Sequence, residues 1–294
     1  TSDEWITERT GIRKRHLAKE ETTTSLAAGA AGKALKASGR KAEQIDLLIV
    51  ATITSDTETP STACRVQAEL GAVNAVAFDI NAACSGFLYA IHTADAFIKS
   101  GIYKNVLLVG AETLSKLVDW TDRSTCVLFG DGAGAAVLTA AEQGGVTAQA
   151  IGSDGSRWEV LSCMGRSNHN PICQEQAEAG FLQMNGQEVF KFAIKTVPQC
   201  IEEALKQAGI SPEEVTCFLL HQANKRIIQS VAKRLKQPED KFPMNIDQCA
   251  NTSAASLPIL LAQMDEQGRL HPGDRLVLSG FGAGLTWGAC VLEW

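Results

Sequence analysis

The sequence has no apolar run long enough to cross a bilayer and no charged segment leading into an apolar leader. We therefore expect neither membrane insertion nor secretion, and assign the protein to the cytoplasm. An excess of positive charge is also missing, because 27 Lys and Arg face 33 Asp and Glu for a net charge of −6. This balance argues against a general nucleic-acid-binding protein. With 294 residues, the chain is long enough for one large domain or two ordinary ones.

Paired cysteine spacing is absent as well. Nine cysteines are scattered along the chain, and no two of them form a Cys-x-x-Cys pair. An odd count with such spacing predicts neither a disulfide framework nor a zinc site. Most lie in apolar segments such as TCFLL and GACVLEW, which is typical of small buried side chains in a reducing compartment.

Apolar runs of strand length alternate with helical patterns in the first half. IDLLIVATI (45–53) precedes a helix near TACRVQAEL, and VAFDI (76–80) precedes FLYAIHTADAFIKSG, which NVLLVGAE (105–112) follows. This order predicts βαβ units and a mainly parallel sheet covered by helices. The runs TCVLFGD and GAGAAVLTAA, joined by a glycine-rich bend, predict a hairpin.

The second half repeats this plan. DINAACSG resembles IDQCANTSA, VLLVGAE resembles RLVLSGFG, and GDGAGAAVL resembles GLTWGACVL. We predict a duplicated α/β unit, with an N-terminal half over residues 1–145 and a C-terminal half over 146–294. The irregular segment 152–185, rich in Gly, Ser and Asn, is interpreted as an insertion near a site.

Three polar residues stand at predicted strand-to-helix turns. Cys84 follows VAFDI, His221 follows CFLL, and Asn251 follows MNIDQCA. Each taken alone is more often structural: a buried thiol, a polar turn residue or a helix cap. Together they favour acyl chemistry, because ligands collect at the carboxyl ends of strands in open α/β sheets. At a helix N-terminus, the thiol of Cys84 is expected to have a pKa below about 8.5.

These residues lie in motifs that resemble one family. TSDEWITERTGIRKRH, NAACSGF, STCVLFGDGAGAAVL, HQANKRII, NTSAASLP and GFGAGLTWG follow the order found in β-ketoacyl-acyl-carrier-protein synthase III, a condensing enzyme of the thiolase superfamily. The catalytic set Cys–His–Asn separates the synthase III family from elongating ketosynthases, which use Cys–His–His, and from thiolases, which use a second Cys. Chalcone-type synthases share the set but lack the HQAN and NTSAAS contexts.

The resemblance implies a fold, a reaction and its partners. The fold is a thiolase-like α/β fold, a five-layered αβαβα sandwich, and the protein is an acyltransferase and a homodimer. Cys84 takes the acyl group of acetyl-CoA or another short acyl-CoA. His221 and Asn251 then assist decarboxylation of malonyl-acyl carrier protein, giving a 3-oxoacyl product, CO₂ and CoA and starting fatty-acid synthesis. No cofactor or metal is implied.

The resemblance also assigns the surroundings of the site. The backbone N–H groups of Cys84 and Ala283 form the oxyanion hole. The remaining assignments are Phe281, Phe87 and Thr59 for the acyl pocket, Trp5, Arg123 and Asn224 for CoA, and Lys191, Arg226, Lys233 and Arg234 for the carrier protein. Each of these residues could instead have a purely structural role, in core packing, in surface packing or on a solvated helix face. Because Thr59 stands where some members carry a bulky aromatic, we hypothesise a pocket that accepts chains longer than acetyl.

Three other interpretations compete with this one. A related Cys–His–Asn enzyme of secondary metabolism shares the chemistry. A nucleotide-binding module would use FGDGAGAA, but Ala135 replaces the third glycine and a strand-like run follows. A papain-like hydrolase lacks its cysteine signature here. The family also has a strand before DEWI that this sequence does not contain, so we expect a fragment of a longer chain.

Overall fold

The computed structural model describes residues 1–168, 170–173 and 180–294. Its helices are α1 (Asp3–Thr10), α2 (Thr23–Ser38), α3 (Thr62–Leu70), α4 (Gly86–Lys99), α5 (Gly186–Ala208), α6 (Lys225–Arg234), α7 (Ile246–Cys249) and α8 (Ser256–Glu266). Its strands are β1 (Leu47–Ala51), β2 (Val76–Ile80), β3 (Asn105–Thr113), β4 (Asp131–Thr139), β5 (Gly145–Ser153), β6 (Leu161–Cys163), β7 (Leu182–Met184), β8 (Cys217–Leu220), β9 (Arg275–Gly282) and β10 (Thr286–Glu293).

Two four-stranded sheets form the framework. The first has the order β2-β1-β3-β4, and the second has the order β5-β10-β9-β8. β1 is parallel to β2 and β3, and β8 is parallel to β9. β4 is antiparallel to β3, as β10 is to β9. Strands β6 and β7 form a separate antiparallel pair within the irregular segment.

Helices cover both sheets and separate them. α2 and α3 lie on the outer face of the first sheet, and α5 contacts the outer face of the second. α6 adds Ile227, Ile228 and Val231 to the core beneath α5. α4 and α8 lie between the sheets, where their apolar side chains share one core with β1, β3, β9 and β10. The layers therefore run α-β-α-β-α, as the family resemblance implied.

Local sequence explains the main elements. All five residues of β1, LLIVA, are buried, as expected for an interior parallel strand. Thr22 precedes α2, and its side chain caps the helix reciprocally with Ser25. Gly39 and Gly209 end α2 and α5 in the left-handed conformation that glycine adopts without penalty.

Strand registers match between the two halves. Leu47 pairs with Val106 as Cys217 pairs with Leu276, and Gly110 pairs with Gly134 as Gly280 pairs with Gly288. The second sheet continues beyond β10 to β5, whereas β4 is the edge of the first sheet in the described part of the chain. The chain passes from the first sheet at Thr139 to the second at Gly145.

The expected hairpin of TCVLFGD with GAGAAVLTAA is wrong. Residues 125–128 form turns, and Phe129 makes an isolated parallel bridge to Asn251. β4 pairs with β3 instead, over the full length from Asp131 to Thr139. Val127 and Phe129 of the first run are buried by tertiary contacts, with Phe129 packed beside Leu114 and Val118.

Candidate active site

Cys84 lies in a tight turn between β2 and α4. A 3₁₀ turn, Ala83–Ser85, joins the strand to the helix, and Ala83 has a positive φ of 46°. Burial raises the pKa of the Cys84 thiol to about 12, a hydrogen bond with Ser253 lowers it, and the carboxylate of Glu112 raises it. The expectation of a lowered thiol pKa is therefore wrong, because burial outweighs the hydrogen bonds that lower the pKa.

Two glycines of β9 let Cys84 and His221 approach the same strand. A Cβ atom on Gly282 would lie 2.6 Å from the backbone nitrogen of Cys84 and 3.1 Å from its Cβ. A Cβ atom on Gly280 would lie 3.0 Å from the Cβ of His221. Any larger residue at either position would push the thiol or the imidazole away from β9.

Ser256 lies beside the imidazole of His221. The Ser256 Oγ accepts the backbone N–H of Gln222 at 2.8 Å and lies 3.1 Å from Nδ1 of His221. The hydroxyl can donate its proton to Nδ1, and in that tautomer the ring proton of His221 is on Nε2. Burial lowers the pKa of His221 to about 3, so the imidazole stays uncharged near pH 7.

Asn251 presents an amide donor. Its Oδ1 accepts the backbone N–H of Ser253 at 2.9 Å, and the residue is buried. Because the oxygen is held in this way, Nδ2 is the atom left to donate to a ligand. The expected strand before Asn251 is wrong: MNIDQCA contains the short helix α7, and Asn251 is held by its bridge to Phe129.

The three predicted residues lie on segments that pack together. The turn Ala83–Ser85 packs against β9, which His221 also approaches, and against the turn Ser253–Ala255, which follows Asn251. These contacts place a thiol, a neutral imidazole and a carboxamide in one region of the fold. This set combines a nucleophile with two uncharged hydrogen-bond donors.

The predicted lining residues lie in different places. The ring of Phe281 is 5.7 Å from that of His221, and the two rings meet edge to face. Phe87 is fully buried in the core between the sheets. Thr59 is exposed on the loop between β1 and α3. Ala283 follows β9 directly, next to Gly282 and the backbone of Cys84.

The half-buried ring of Trp5 lies close to two arginines. The guanidinium of Arg123 is 5.6 Å from the ring centre of Trp5, and that of Arg9 is 4.6 Å from it. Arg9 was missed by the sequence analysis, although its place one turn after Trp5 on α1 was available as a signal. Asn224 caps α6 through the N–H of Arg226 at 2.8 Å and donates to the carbonyl of Arg9 at 3.1 Å.

The predicted basic residues differ in their partners. Lys191 on α5 lies 3.0 Å from Glu188. The other three, Arg226, Lys233 and Arg234, are exposed on α6 and form no ion pair with the part of the chain that is described. Their charges therefore remain available to an acidic partner.

Three further residues of the site were not predicted. Ser253 and Ser256 fall inside the NTSAAS motif but were interpreted only as its context. Glu112 ends the apolar run NVLLVGA and is fully buried against Ser253. Across residues 1–168, 170–173 and 180–294, no group of three His, Cys, Asp or Glu side chains is arranged to hold a metal. No helix of the same residues is long and apolar enough to cross a membrane.

Fold and site together define a condensing enzyme of the thiolase type. Family models for 3-oxoacyl-[acyl-carrier-protein] synthase III match residues 78–155, and those for its C-terminal region match residues 205–294. The chain belongs to the β-ketoacyl-[acyl-carrier-protein] synthase III family.

Individual relatives cover the whole chain. The β-ketoacyl-[acyl-carrier-protein] synthase III of Clostridium tetani is 49% identical over 100% of this chain and 91% of its own length. The crystal structure of the Aquifex aeolicus synthase III is 48% identical with a TM-score of 0.93, covering 100% of this chain and 92% of that chain. A priming β-ketosynthase of a polyketide biosynthetic pathway has the same TM-score at 35% identity, covering 100% of this chain and 88% of that chain.

Proposed function

We propose that the protein condenses a short acyl-CoA, acetyl-CoA in the first instance, with malonyl-acyl carrier protein. The products are a 3-oxoacyl-acyl carrier protein, CO₂ and CoA, and the reaction starts fatty-acid synthesis. The observation that carries this proposal is the packing of the turn with the buried Cys84 thiol against the segments that hold the buried residues His221 and Asn251.

In the first half-reaction, Cys84 attacks the thioester carbonyl of the acyl-CoA. The new S–C bond places negative charge on the carbonyl oxygen, and the C–S bond to CoA then breaks. The backbone N–H groups of Cys84 and Ala283 are our candidates to stabilise that oxygen, since Gly282 brings the two segments together.

In the second half-reaction, the malonyl group loses CO₂ and its thioester becomes an enolate. Nε2–H of His221 and Nδ2–H of Asn251 donate to the enolate oxygen in this proposal, and the carbanion attacks the acyl group on Cys84. A neutral imidazole suits this role, because its proton stays on Nε2 while the charge develops on the substrate.

The surrounding residues give the proposed partners. Trp5 and Arg123, with Arg9, offer a stacking site for the adenine of CoA. Asn224 is proposed to contact pantetheine. The basic residues of α6, with Lys191, suit an acidic carrier protein. We further propose a cytoplasmic homodimer, and a pocket beyond Cys84 that accepts primers longer than acetyl.

The test is product formation with purified components. We expect acetyl-CoA and malonyl-acyl carrier protein to give a 3-oxobutyryl carrier protein, detected by mass spectrometry of the carrier. Arg226→Glu should raise the KM for the carrier substrate, whereas Lys36→Glu on the exposed face of α2 should leave it unchanged. Absence of the 3-oxobutyryl product with wild-type enzyme would reject the proposed function.

A further inference from the structure

Glu112 is a buried carboxylate that the proposed reaction leaves without a task. It lies near the end of β3 and has no exposed surface. Its oxygens accept hydrogen bonds from four groups: the hydroxyl of Thr54 at 2.5 Å, the hydroxyl of Ser253 at 3.1 Å, the backbone N–H of Ile53 at 3.2 Å and the hydroxyl of Thr52 at 3.3 Å. The carboxylate therefore joins the turn at Ser253, in the second half of the chain, to the loop that follows β1.

Ser253 needs an anchor of this kind, because its backbone conformation is unfavourable. Its φ of 48° lies in the left-handed region, where a side chain crowds the backbone. The hydrogen bond from its hydroxyl to Glu112 helps to hold this conformation. The backbone of β3 also meets the same turn directly, since a Cβ atom on Gly110 would lie 2.3 Å from the carbonyl oxygen of Ala254.

The turn at Ser253 in turn holds the side chain of Asn251. The backbone N–H of Ser253 donates to Oδ1 of Asn251 at 2.9 Å. The backbone of Asn251 is fixed separately, by hydrogen bonds at 3.0 Å to the carbonyl of Leu128 and from the N–H of Gly130. The orientation of the amide group therefore depends on where Ser253 places its N–H.

We propose that Glu112 positions the amide of Asn251 for the decarboxylation half-reaction. The carboxylate holds the hydroxyl of Ser253, and the N–H of Ser253 holds Oδ1 of Asn251, which leaves Nδ2 directed to the enolate oxygen. No bond forms or breaks at Glu112. It acts through Ser253 and is thus a positioning residue.

A carboxylate suits this position because it accepts from all four donors at once. The hydroxyls of Thr54 and Thr52 already accept the backbone N–H groups of Thr113 at 2.9 Å and Thr54 at 3.1 Å, so their protons are available for Glu112. An amide at residue 112 would have one accepting oxygen and a nitrogen that only donates, so some of these hydrogen bonds would be lost. Burial raises the pKa of Glu112 to about 7, and the carboxylate is the main form at pH 8.

The test is the discharge of acetyl-Cys84 by malonyl-acyl carrier protein at pH 8. Each enzyme is first acetylated to completion with acetyl-CoA, and loss of the acetyl group in a single turnover is followed by mass spectrometry. Glu112→Gln should slow discharge about tenfold, which is less than the loss of about 10²-fold expected when such a donor is removed. Acetylation of Cys84 does not use Asn251 and should be nearly unchanged, which also shows that the variant is folded.

Combined variants show whether Glu112 acts through Ser253 and Asn251. Asn251→Ala removes the amide, so adding Glu112→Gln to it should slow discharge no further. Ser253→Ala keeps the backbone N–H and should slow discharge as Glu112→Gln does, and the two changes together should be no slower than either alone. Ala83 shows that alanine adopts the backbone conformation that residue 253 requires, with a φ of 46°.

Asp46→Asn is the matched control. Asp46 is a half-buried carboxylate at the opposite end of β3, where it accepts the backbone N–H groups of Lys104 and Asn105 at 2.9 Å each. It likewise joins two segments of the chain, but it makes no hydrogen bond to the turn at Ser253. Its replacement should leave both acetylation and discharge unchanged.

Three results would overturn the inference. If Glu112→Gln discharges the acetyl group as fast as wild type, the carboxylate does not position Asn251. If the variant slows acetylation and discharge equally, or slows discharge further in the Asn251→Ala background, Glu112 acts on the structure in general. The inference rests on the proposed function, but the failures differ: a wild type that is not acetylated or not discharged rejects the function, whereas an active wild type with an equally fast variant rejects only the role of Glu112.

Discussion

The hydroxyl of Ser256 lies between the backbone N–H of Gln222 and Nδ1 of His221. We expect it to accept from the N–H and to donate its proton to Nδ1, so that the imidazole presents Nε2–H to the substrate. The hydrogen bond that one ring nitrogen of a histidine makes determines whether the other nitrogen can donate.

Ser256→Ala should weaken the decarboxylation half-reaction about tenfold and leave acetylation of Cys84 nearly unchanged. Without the hydroxyl, Nδ1 loses its donor and the two tautomers become closer in energy. ¹⁵N NMR of histidine-labelled enzyme should show an unprotonated Nδ1 at His221 in wild type and a mixture in the variant. Ser256→Thr should preserve the wild-type spectrum, and Ser230→Ala on α6 serves as the control. A protonated Nδ1 in wild type would refute this account.

The residue types of the site could be predicted, but their protonation could not. Cys84, His221 and Asn251 were identified from their turn positions and the family motifs. The thiol pKa was expected to fall, yet burial raises it to about 12. Burial and the partners Glu112 and Ser256 arise from segments far apart in sequence, so no local pattern contains them.

Helices α4 and α8 lie close to the sheets because glycines face them. A Cβ atom on Gly134 of β4 would lie 2.5 Å from the backbone of α8 at Ile259, and one on Gly110 of β3 would lie 2.3 Å from the carbonyl oxygen of Ala254. On the other sheet, Gly288 of β10 lies against Leu88 of α4. Gly134 belongs to the run GAGAAVLTAA that was expected to form a hairpin, and it lies in β4 instead.

Gly134→Ala should lower the free energy of unfolding by about 1–3 kcal/mol, because the new methyl group overlaps the backbone of α8. Gly29→Ala should instead raise it by about 0.5–1 kcal/mol, since Gly29 lies inside α2 with no other atom near its added Cβ. Urea unfolding of both variants measures the difference. Equal stability of the two variants would contradict the close approach of α8 to β4.

The alternation of strands and helices was visible in the sequence, but one element was misassigned. MNIDQCA was expected to be a strand, and it forms α7 instead. A run of seven residues that mixes polar and apolar side chains is too short to show a periodicity that separates strand from helix. The β-bridge that holds Asn251 is to Phe129, which lies more than a hundred residues earlier in the chain.

Duplication of the whole fold explains why the site draws on both halves. The 3₁₀ turns before α4 and α8 are equivalent, and they begin at Ala83 and Ser253 with φ values of 46° and 48°. Asn251 therefore corresponds to Asn81, and the position that matches Cys84 is Ala254. Only the first of the two related turns carries a thiol. The second turn and the residues before it contribute Asn251 and Ser253 to the site.

The central claim is that Cys84 carries the acyl group between two substrates. The direct measurement is mass spectrometry of the protein and its peptides after incubation with acetyl-CoA alone, and again after malonyl-acyl carrier protein is added. We predict a single acetyl group on Cys84 that the second substrate removes. No acetyl group, an acetyl group on another of the nine cysteines, or one that persists in Cys84→Ser would contradict the account.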